Sequence, residues 1–409
     1  MAMRDPVIVA AVRTAVGKAP KGTLRETPPE ALAMAVVREA LARAPGLDPA
    51  EVEDLVLGCA MPEGAQGLNI ARQVAIGAGV PDSASAMTIN RFCASGLQAL
   101  ALASAAVQTG VHDVVIAGGM ESMSFVPMIG HHFTPDPGLA DSRPQVYMSM
   151  GLTAERVSER FGVSRDDQDA WGLRSHLRAS AAQRAGRFRD EIVPVQAALT
   201  EVDGEGLPNV REVRFEADEG IRHDVDAERM AGLKPAFATG GTVTAGNSSQ
   251  MSDGAGAMIV MTAERAAQLG LEPLGRLVSF ATAGVDPEIM GIGPVQAVPK
   301  ALRKAGLSLG EIEIVELNEA FAAQVVAVVR ELGLDEDRTN VNGGAIALGH
   351  PLGATGAKLT VQILSELSRR SARYGLVTMC VGGGQGAAGV IEWLGGRQPT
   401  ATQAIGDAA

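Results

Sequence analysis

Aromatic side chains are scarce, with Phe, Trp and Tyr together making up 3% of the 409 residues. That is too few for the stacking platforms on which single-stranded nucleic acids lie. Basic runs are missing too: 35 Lys and Arg face 47 Asp and Glu, for a net charge of −12. A chain of that sign is a poor partner for a phosphate backbone, so no nucleic-acid partner is expected. No run of 18 apolar residues occurs, and no membrane span is expected. The first residues lack the apolar core of a signal peptide. Cysteine is limited to Cys59, Cys93 and Cys380. An odd, sparse set points to free thiols in a reducing compartment, with the cytoplasm as the expected location. Metal-ligand spacing is absent as well. There is no HExxH, His131-His132 has no partner ligands, and no metal is expected.

Glycine, by contrast, is abundant: 49 residues, about 12%, against a usual ~7%. Without a three-residue period, that surplus points to tight backbone turns around a ligand. At roughly 100–200 residues per domain, the length gives two to three domains or one large repeated unit. Short β-branched runs at 7–11, 53–57, 114–117, 312–317 and 376–380 read as strands. Ala-rich stretches at 29–44, 93–109, 296–305, 319–332 and 354–370 read as helices, two of them ended by Gly110 and Gly333. The alternation predicts an α/β fold with helices covering a sheet. A weak twofold pattern relates the strand before Gly118-Gly119 to the strand before Gly382-Gly383-Gly384. The stretch 123–250 differs in character: Pro127, Pro135, Pro137 and Pro144, then charged helices, one capped by Ser164, then an acidic irregular run. It reads as a loop-rich insertion covering one face of the core.

Three residues stand out chemically. Cys93, in Asn90-Arg-Phe-Cys93-Ala-Ser95-Gly96, opens a long apolar helix. The positive end of a helix dipole and its free N–H groups favour thiolate; a buried structural cysteine is the competing reading. Cys380 ends a strand and runs into a glycine turn that lets a ligand approach backbone N–H groups. Gly384-x-Gly386-x-x-Gly389 matches a dinucleotide fingerprint only formally, because another strand follows it. His350 lies in a glycine-dense turn before a helix, a setting that suits an acid, base or hydrogen-bond donor. Gly353 to Lys358 has the wrong spacing for a phosphate-binding loop. Asn318 on its own reads as a helix N-cap, Ser248 and Ser249 as turn residues, and Cys59 as a packing residue.

Together these stretches resemble the thiolase family. The motifs are Asn90-x-x-Cys93-x-Ser95-Gly96, Gly118-Gly119-Met120-Glu121-Ser122, Gly246-Asn247-Ser248-Ser249, Asn318-Glu319-Ala320-Phe321, Gly349-His350-Pro351 within 343–353, and Cys380-Val381-Gly382-Gly383-Gly384. They occur in family order over nearly the whole chain. The resemblance implies two similar mixed-sheet βαβαβαββ halves packed in layers: 1–122 with about 251–273 returning to it, and 274–396. A loop domain would be inserted over 123–250, and a flexible tail would follow at 397–409. It implies acyl exchange on coenzyme A, with coenzyme A and acyl-CoA as substrates, no further cofactor, and a homodimer or homotetramer.

Carried over residue by residue, Cys93 is the acylated nucleophile. His350 activates it and helps hold the substrate oxyanion, while Cys380 is the second acid/base. Asn318 positions a water in one oxyanion hole, and the N–H groups of Cys93 and Gly382 form the other. Arg222, Phe237, Ser249, Met150 and Phe321 match positions that contact coenzyme A, although core packing explains Phe237 and Phe321 equally well. Retro-Claisen cleavage needs just such a set: a thioester-forming nucleophile, oxyanion donors and a proton source.

One departure bears on substrate. Acetoacetyl-type members carry a histidine two residues before the glycine of the Met-Gly-x-Thr-Ala-Glu stretch, where this chain has Ser149. That favours the broad-chain 3-ketoacyl-CoA reading over an acetoacetyl-CoA-specific acetyltransferase. The decarboxylating ketoacyl synthases share the fold but use two histidines, whereas this chain has Asn318 and Cys380 in the matching motifs. A non-catalytic lipid-binding relative would have lost Cys93, His350 or Cys380, and all three are present.

Overall fold

The computed structural model describes residues 3–397 apart from 203 and 205. The tail expected over 397–409 lies, Arg397 apart, outside the described residues. The chain first lays down β1 (Pro6–Thr14), β2 (Gly17–Lys18), α1 (Pro29–Ala42), β3 (Asp54–Gly58), α2 (Ile70–Ala78), β4 (Ser85–Ile89), α3 (Ser95–Thr109) and β5 (Val114–Ser122). A long excursion follows. It holds α4 (Pro137–Ser142), α5 (Met150–Phe161), α6 (Arg165–Arg184), β6 (Ile192–Val193), the hairpin β7 (Val195–Val202) and β8 (Pro208–Phe215), and α7 (Ala227–Ala231). The chain returns through β9 (Ser252–Thr262) and α8 (Ala263–Gln268). It continues as β10 (Gly275–Gly284), α9 (Gly293–Ala305), β11 (Ile314–Leu317), α10 (Ala322–Leu332), α11 (Ala345–Leu348), α12 (Thr355–Arg370), β12 (Tyr374–Val381) and β13 (Gln385–Trp393).

Eleven strands form one mixed sheet in the order β11-β12-β13-β10-β1-β9-β5-β3-β4, with β2 beside β9 and β6 beside β1, and β7 and β8 form a separate two-stranded sheet. Each half carries parallel pairs (β3 with β4 and β5, β11 with β12) beside antiparallel ones. The halves join where β1 meets β10, at Ile8 opposite Gly275.

Side-chain alternation along the strands builds the layers. Val114 and Ile116 of β5 face a core shared with α1 and α2. Val115 and Ala117 face the opposite way, into a core shared with α3, α12 and the Val377 and Met379 face of β12. Leu376, on the other side of β12, packs with α9 and α10. The α3–α12 pair is therefore sandwiched between the two halves, with outer helices on both sides. The α/β fold expected from the sequence is the one observed.

Helices α3 and α12 cross where neither has a side chain. A Cβ on Gly96 would fall 2.5 Å from Ala357 N, and one on Gly356 would fall 2.2 Å from Leu97 N. Glycine is required here for close approach, and the crossing brings the loops before both helices to one place. The stretch Phe92–Thr109 has mean hydropathy 1.2 and is long and apolar enough to cross a membrane by composition alone. Its apolar positions Leu97, Leu100 and Ala103 are instead buried in the central layer.

The sequence expectations differ in three places. Strand β5 runs on through Gly118-Gly119 to Ser122, because a side chain on Gly119 would strike Gly353 O at 2.1 Å and the bare backbone keeps pairing with β9. Helix α10 starts at Ala322 with Phe321 at its N-cap, so Asn318 is no cap. Helix α3 starts at Ser95, and Cys93 occupies a single 3₁₀ turn before it. Ser164 does cap α6, through a reciprocal box with Asp167.

Candidate active site

Four loops meet around the mouth of the α3–α12 pair. The first carries Cys93 in the turn Phe92–Ala94, where Phe92 adopts a φ of 42°. A bulky residue in left-handed backbone stores roughly 1–3 kcal/mol and persists only if its surroundings hold it. They do. Phe92 N donates to Asn90 Oδ1 (2.7 Å), Arg91 N donates to Ser95 Oγ (2.9 Å), and Ser95 Oγ donates to Phe92 O (2.7 Å). Arg91 reaches Gln385 at 3.1 Å and so ties this turn to the glycine loop after β12. Asn90 and Ser95, read from sequence only as motif positions, are the staples of the turn.

The second loop carries His350. Its Nδ1 lies 2.6 Å from Thr355 Oγ1, and that hydroxyl donates to Pro351 O at 2.8 Å. With the hydroxyl proton committed, Thr355 accepts from Nδ1–H, and the network assigns the lone pair to Nε2. Nε2 faces Asn318 Nδ2 at 3.3 Å. Burial pushes the His350 imidazole down to about 3, with the Lys358 ammonium adding to the effect. At neutral pH the ring is an uncharged base.

The third loop places Asn318 directly after β11, its N–H donating to Thr378 O at 2.9 Å. Its Oδ1 is buried and has no hydrogen-bond partner among the described residues. A buried carbonyl oxygen in that state is a ready acceptor for a water or ligand proton. The fourth part is the end of β12, which carries Cys380, and the loop after it, which carries Gly382. The Gly382 N–H acts on the Cys93 sulfur and favours its charged form. Cys380 is fully buried, packed with Ala154, Met290 and Phe321, with Met150 beside them.

Thiolate formation at Cys93 is where expectation and structure part. Burial pushes the Cys93 thiol up to about 12, and Glu121 adds to the rise, against the N–H groups of Gly382 and of Cys93 itself. The helix dipole expected to help begins two residues later, at Ser95. Burial also holds the Cys380 thiol well above its usual range, and neighbouring Cys93 adds to the shift. The resting site thus pairs two neutral thiols with a neutral imidazole.

The five positions expected at coenzyme A do not share one environment. Met150 and Phe321 belong to the apolar patch at Cys380. Phe237 is 42% exposed, which removes core packing as its explanation, and stands edge-on to Phe321 with ring centroids 5.9 Å apart. Ser249 is alongside, its N–H donating to Ala320 O. Arg222 stands at the surface, its backbone N–H donating to His176 Nδ1 at 3.1 Å. Cys59 is buried, its thiol held up by burial and by Glu121.

Sequence reading passed over two buried carboxylates. Glu121 accepts from Ala60 N, Met61 N, Gln66 Nε2 and Gly353 N, joining the loop after β3 to the loop after His350. Glu319 gathers four donors in the same way. A charge set among glycine and apolar residues was the available signal in both. Among the described residues, no cluster of three or more His, Cys, Asp or Glu side chains is arranged to hold a metal ion.

Comparison with known proteins fits this geometry. The family model described as "Thiolase, N-terminal domain" matches residues 6–264, and that described as "Thiolase, C-terminal domain" matches 271–393. The 3-ketoacyl-CoA thiolase of Bacillus subtilis (strain 168) is 53% identical over 390 residues, covering 95% of this chain and all of that protein. An acetyl-CoA acetyltransferase of Pseudomonas aeruginosa is 47% identical over 398 residues, covering 94% and 98%. The crystal structure of the Bacillus anthracis acetyl-CoA acetyltransferase superposes with a TM-score of 0.87 at 42% identity, covering 96% of this chain and 100% of that one. The chain belongs to the thiolase family and is an acyltransferase.

Proposed function

We propose that this chain cleaves 3-ketoacyl-CoA with coenzyme A, reversibly, through an acyl-Cys93 intermediate. Neutral His350 Nε2 takes the Cys93 proton as the sulfur attacks the 3-keto carbon. The N–H groups of Cys93 and Gly382 hold the oxyanion that forms; one strong donor of this kind is worth roughly 2.7–4 kcal/mol. Breaking the C2–C3 bond leaves the acyl group on Cys93 and the enolate of acetyl-CoA. The His350 imidazolium and a water on Asn318 Oδ1 hold the enolate oxygen, and Cys380 protonates its carbon. Coenzyme A then gives its thiol proton to Cys380 and takes the acyl group, and His350 returns its proton to Cys93. The single observation that carries this reading is the gathering at one mouth of Cys93, with Gly382 N–H and Cys380 beside it, and an uncharged His350 whose Nε2 lone pair faces Asn318 Nδ2.

Ser149 and the Bacillus subtilis relative favour a broad-chain 3-ketoacyl substrate. The acetyl-CoA acetyltransferase names among the relatives favour acetoacetyl-CoA as the second reading. Thiolysis of acetoacetyl-CoA against a longer 3-ketoacyl-CoA, followed as loss of the enolate absorbance, decides between them. Faster turnover of the longer substrate is expected; activity confined to acetoacetyl-CoA gives the second reading, and activity on neither removes both.

A further inference from the structure

Glu319 is almost completely buried and accepts four hydrogen bonds, none from a cation. The donors are Trp171 Nε1 at 2.9 Å, Ser175 Oγ at 2.6 Å, Asn340 Nδ2 at 2.9 Å and Ile346 N at 3.2 Å. They arrive from three separate parts of the chain. Trp171 and Ser175 are one turn apart on α6, in the excursion 123–250. Asn340 lies in the loop after α10. Ile346 is in α11, four residues before His350. The His350 loop closes on the carboxylate with bare backbone, since a Cβ on Gly344 would fall 2.1 Å from the Glu319 carboxyl carbon.

Asn340 carries the constraint to the other flank of Asn318. It accepts from Leu317 N at 2.9 Å and donates to Leu317 O at 2.8 Å. Asn318 is therefore braced on both sides, through Leu317 by Asn340 and through Glu319 by its four donors, and the two braces are bonded to each other. The side chain held by this frame is the one that meets His350 Nε2. A buried carboxylate with no cation hydrogen-bonded to it, Arg178 acting on it only through the field, is a costly way merely to fill space. As a group that only accepts, it is suited to gathering donors from several elements.

We propose that Glu319 is a positioning residue for the carbon–carbon step, fixing Asn318 relative to α6, while His350 keeps its own holds on Thr355 and Ser252. The proposal rests on the thiolase chemistry set out above, in which Asn318 serves the enolate and not the transfer of the acyl group to coenzyme A. Glu319→Gln keeps the volume but replaces one accepting oxygen with an amide NH₂, while Trp171 Nε1, Asn340 Nδ2 and Ile346 N can only donate and Ser175 Oγ, which already accepts from Gly344 N, is the one partner able to receive it. Entry of solvent deuterium into the methyl group of acetyl-CoA reads enolate formation; acetyl transfer from Cys93 to coenzyme A reads the other half-reaction.

In Glu319→Gln, deuterium entry is expected to fall about 10²-fold, the size seen when a reacting group is misplaced by ~1 Å, with acetyl transfer and the KM for coenzyme A near wild type. Trp171→Phe and Ser175→Ala each remove one donor while leaving Asn318 in place. They should give smaller falls in the same half-reaction, and they keep the test open should Glu319→Gln not fold. Wild-type exchange in Glu319→Gln, or an equal loss of both half-reactions across the variants, overturns the proposal. A failure of the underlying chemistry shows separately, as unchanged exchange in Asn318→Ala.

Discussion

Cys93 and Cys380 are both thiols held neutral by burial, yet their supports are opposite in kind. Cys380 sits within β12, opposite Gly386 of β13, in the interior of a continuous sheet. Cys93 sits in a strained turn, stapled by Asn90 and Ser95 and partly open to solvent. A sheet interior fixes a group in place, which suits a thiol that only passes a proton. A turn backed by Gly382 N–H leaves the sulfur room to become tetrahedral at its carbon partner and then to carry an acyl group. In the proposed reaction Cys93 is therefore activated by a base and donors acting on a neutral thiol, not as a standing thiolate.

The largest effect that would break this comparison comes from exchanging the roles by mutation. Cys93→Ala should lower thiolysis by more than about 10⁴-fold with the fold retained, since no other group forms the thioester. Cys380→Ser should cost about 10²–10⁴-fold, as expected for loss of a proton-transfer group, while acylation of Cys93 persists. Mass spectrometry of trapped enzyme separates the two: an acyl adduct on Cys380→Ser and none on Cys93→Ala. An adduct on Cys93→Ala would assign the nucleophile elsewhere.

A smaller effect sharpens the third partner. Because the His350 ring is held down to about 3 from its ordinary 6.5, the unfolded chain takes up a proton that the native one refuses. Stability is full above pH about 6.5 and falls with acidification, by about 1.4 kcal/mol per pH unit for this group, until about pH 3. His176, held down to about 4 chiefly by burial, adds the same sign over a narrower window. Urea unfolding between pH 7 and pH 4 should show a steep acid limb that becomes shallower in His350→Asn. An unchanged limb would mean that His350 charges freely in the native protein. The smallest effect is Thr355→Val, which leaves Nδ1–H without its acceptor. A fall in kcat of about tenfold is expected from one lost hydrogen bond to the base, with KM retained.

Much of this was legible in the chain. Strands β1, β3, β5 and β12 read as apolar runs, since strands covered on both faces, in parallel or antiparallel pairing, advertise themselves that way. Helices α1, α9 and α12 carried their period, and Gly110 and Gly333 marked two helix ends, with φ values of 75° and 65°. What misled was tertiary. Asn-Glu-Ala-Phe looked like a capped helix start, but Glu319 is committed to partners up to 148 residues away, and the helix waits until Ala322. Cys93 looked like a dipole-activated thiol because burial, the larger influence on it, is invisible in sequence. Strands β9 and β10 were passed over because small residues dilute their pattern, as in Gly254-Ala-Gly-Ala257.

The glycine crossing of α3 and α12 also sets a timetable. Cys93 leaves the ribosome about 290 residues before Cys380, an interval of about 15–60 s at about 5–20 residues per second. Until α12 arrives and β12 pairs with β13, the central layer lacks half its apolar wall, and the Cys93 turn lacks Arg91's anchor at Gln385. For that interval the nascent chain carries an ordinary, reachable cysteine. Translation of the last third is what converts it from an open thiol into one set in a finished, only partly open turn.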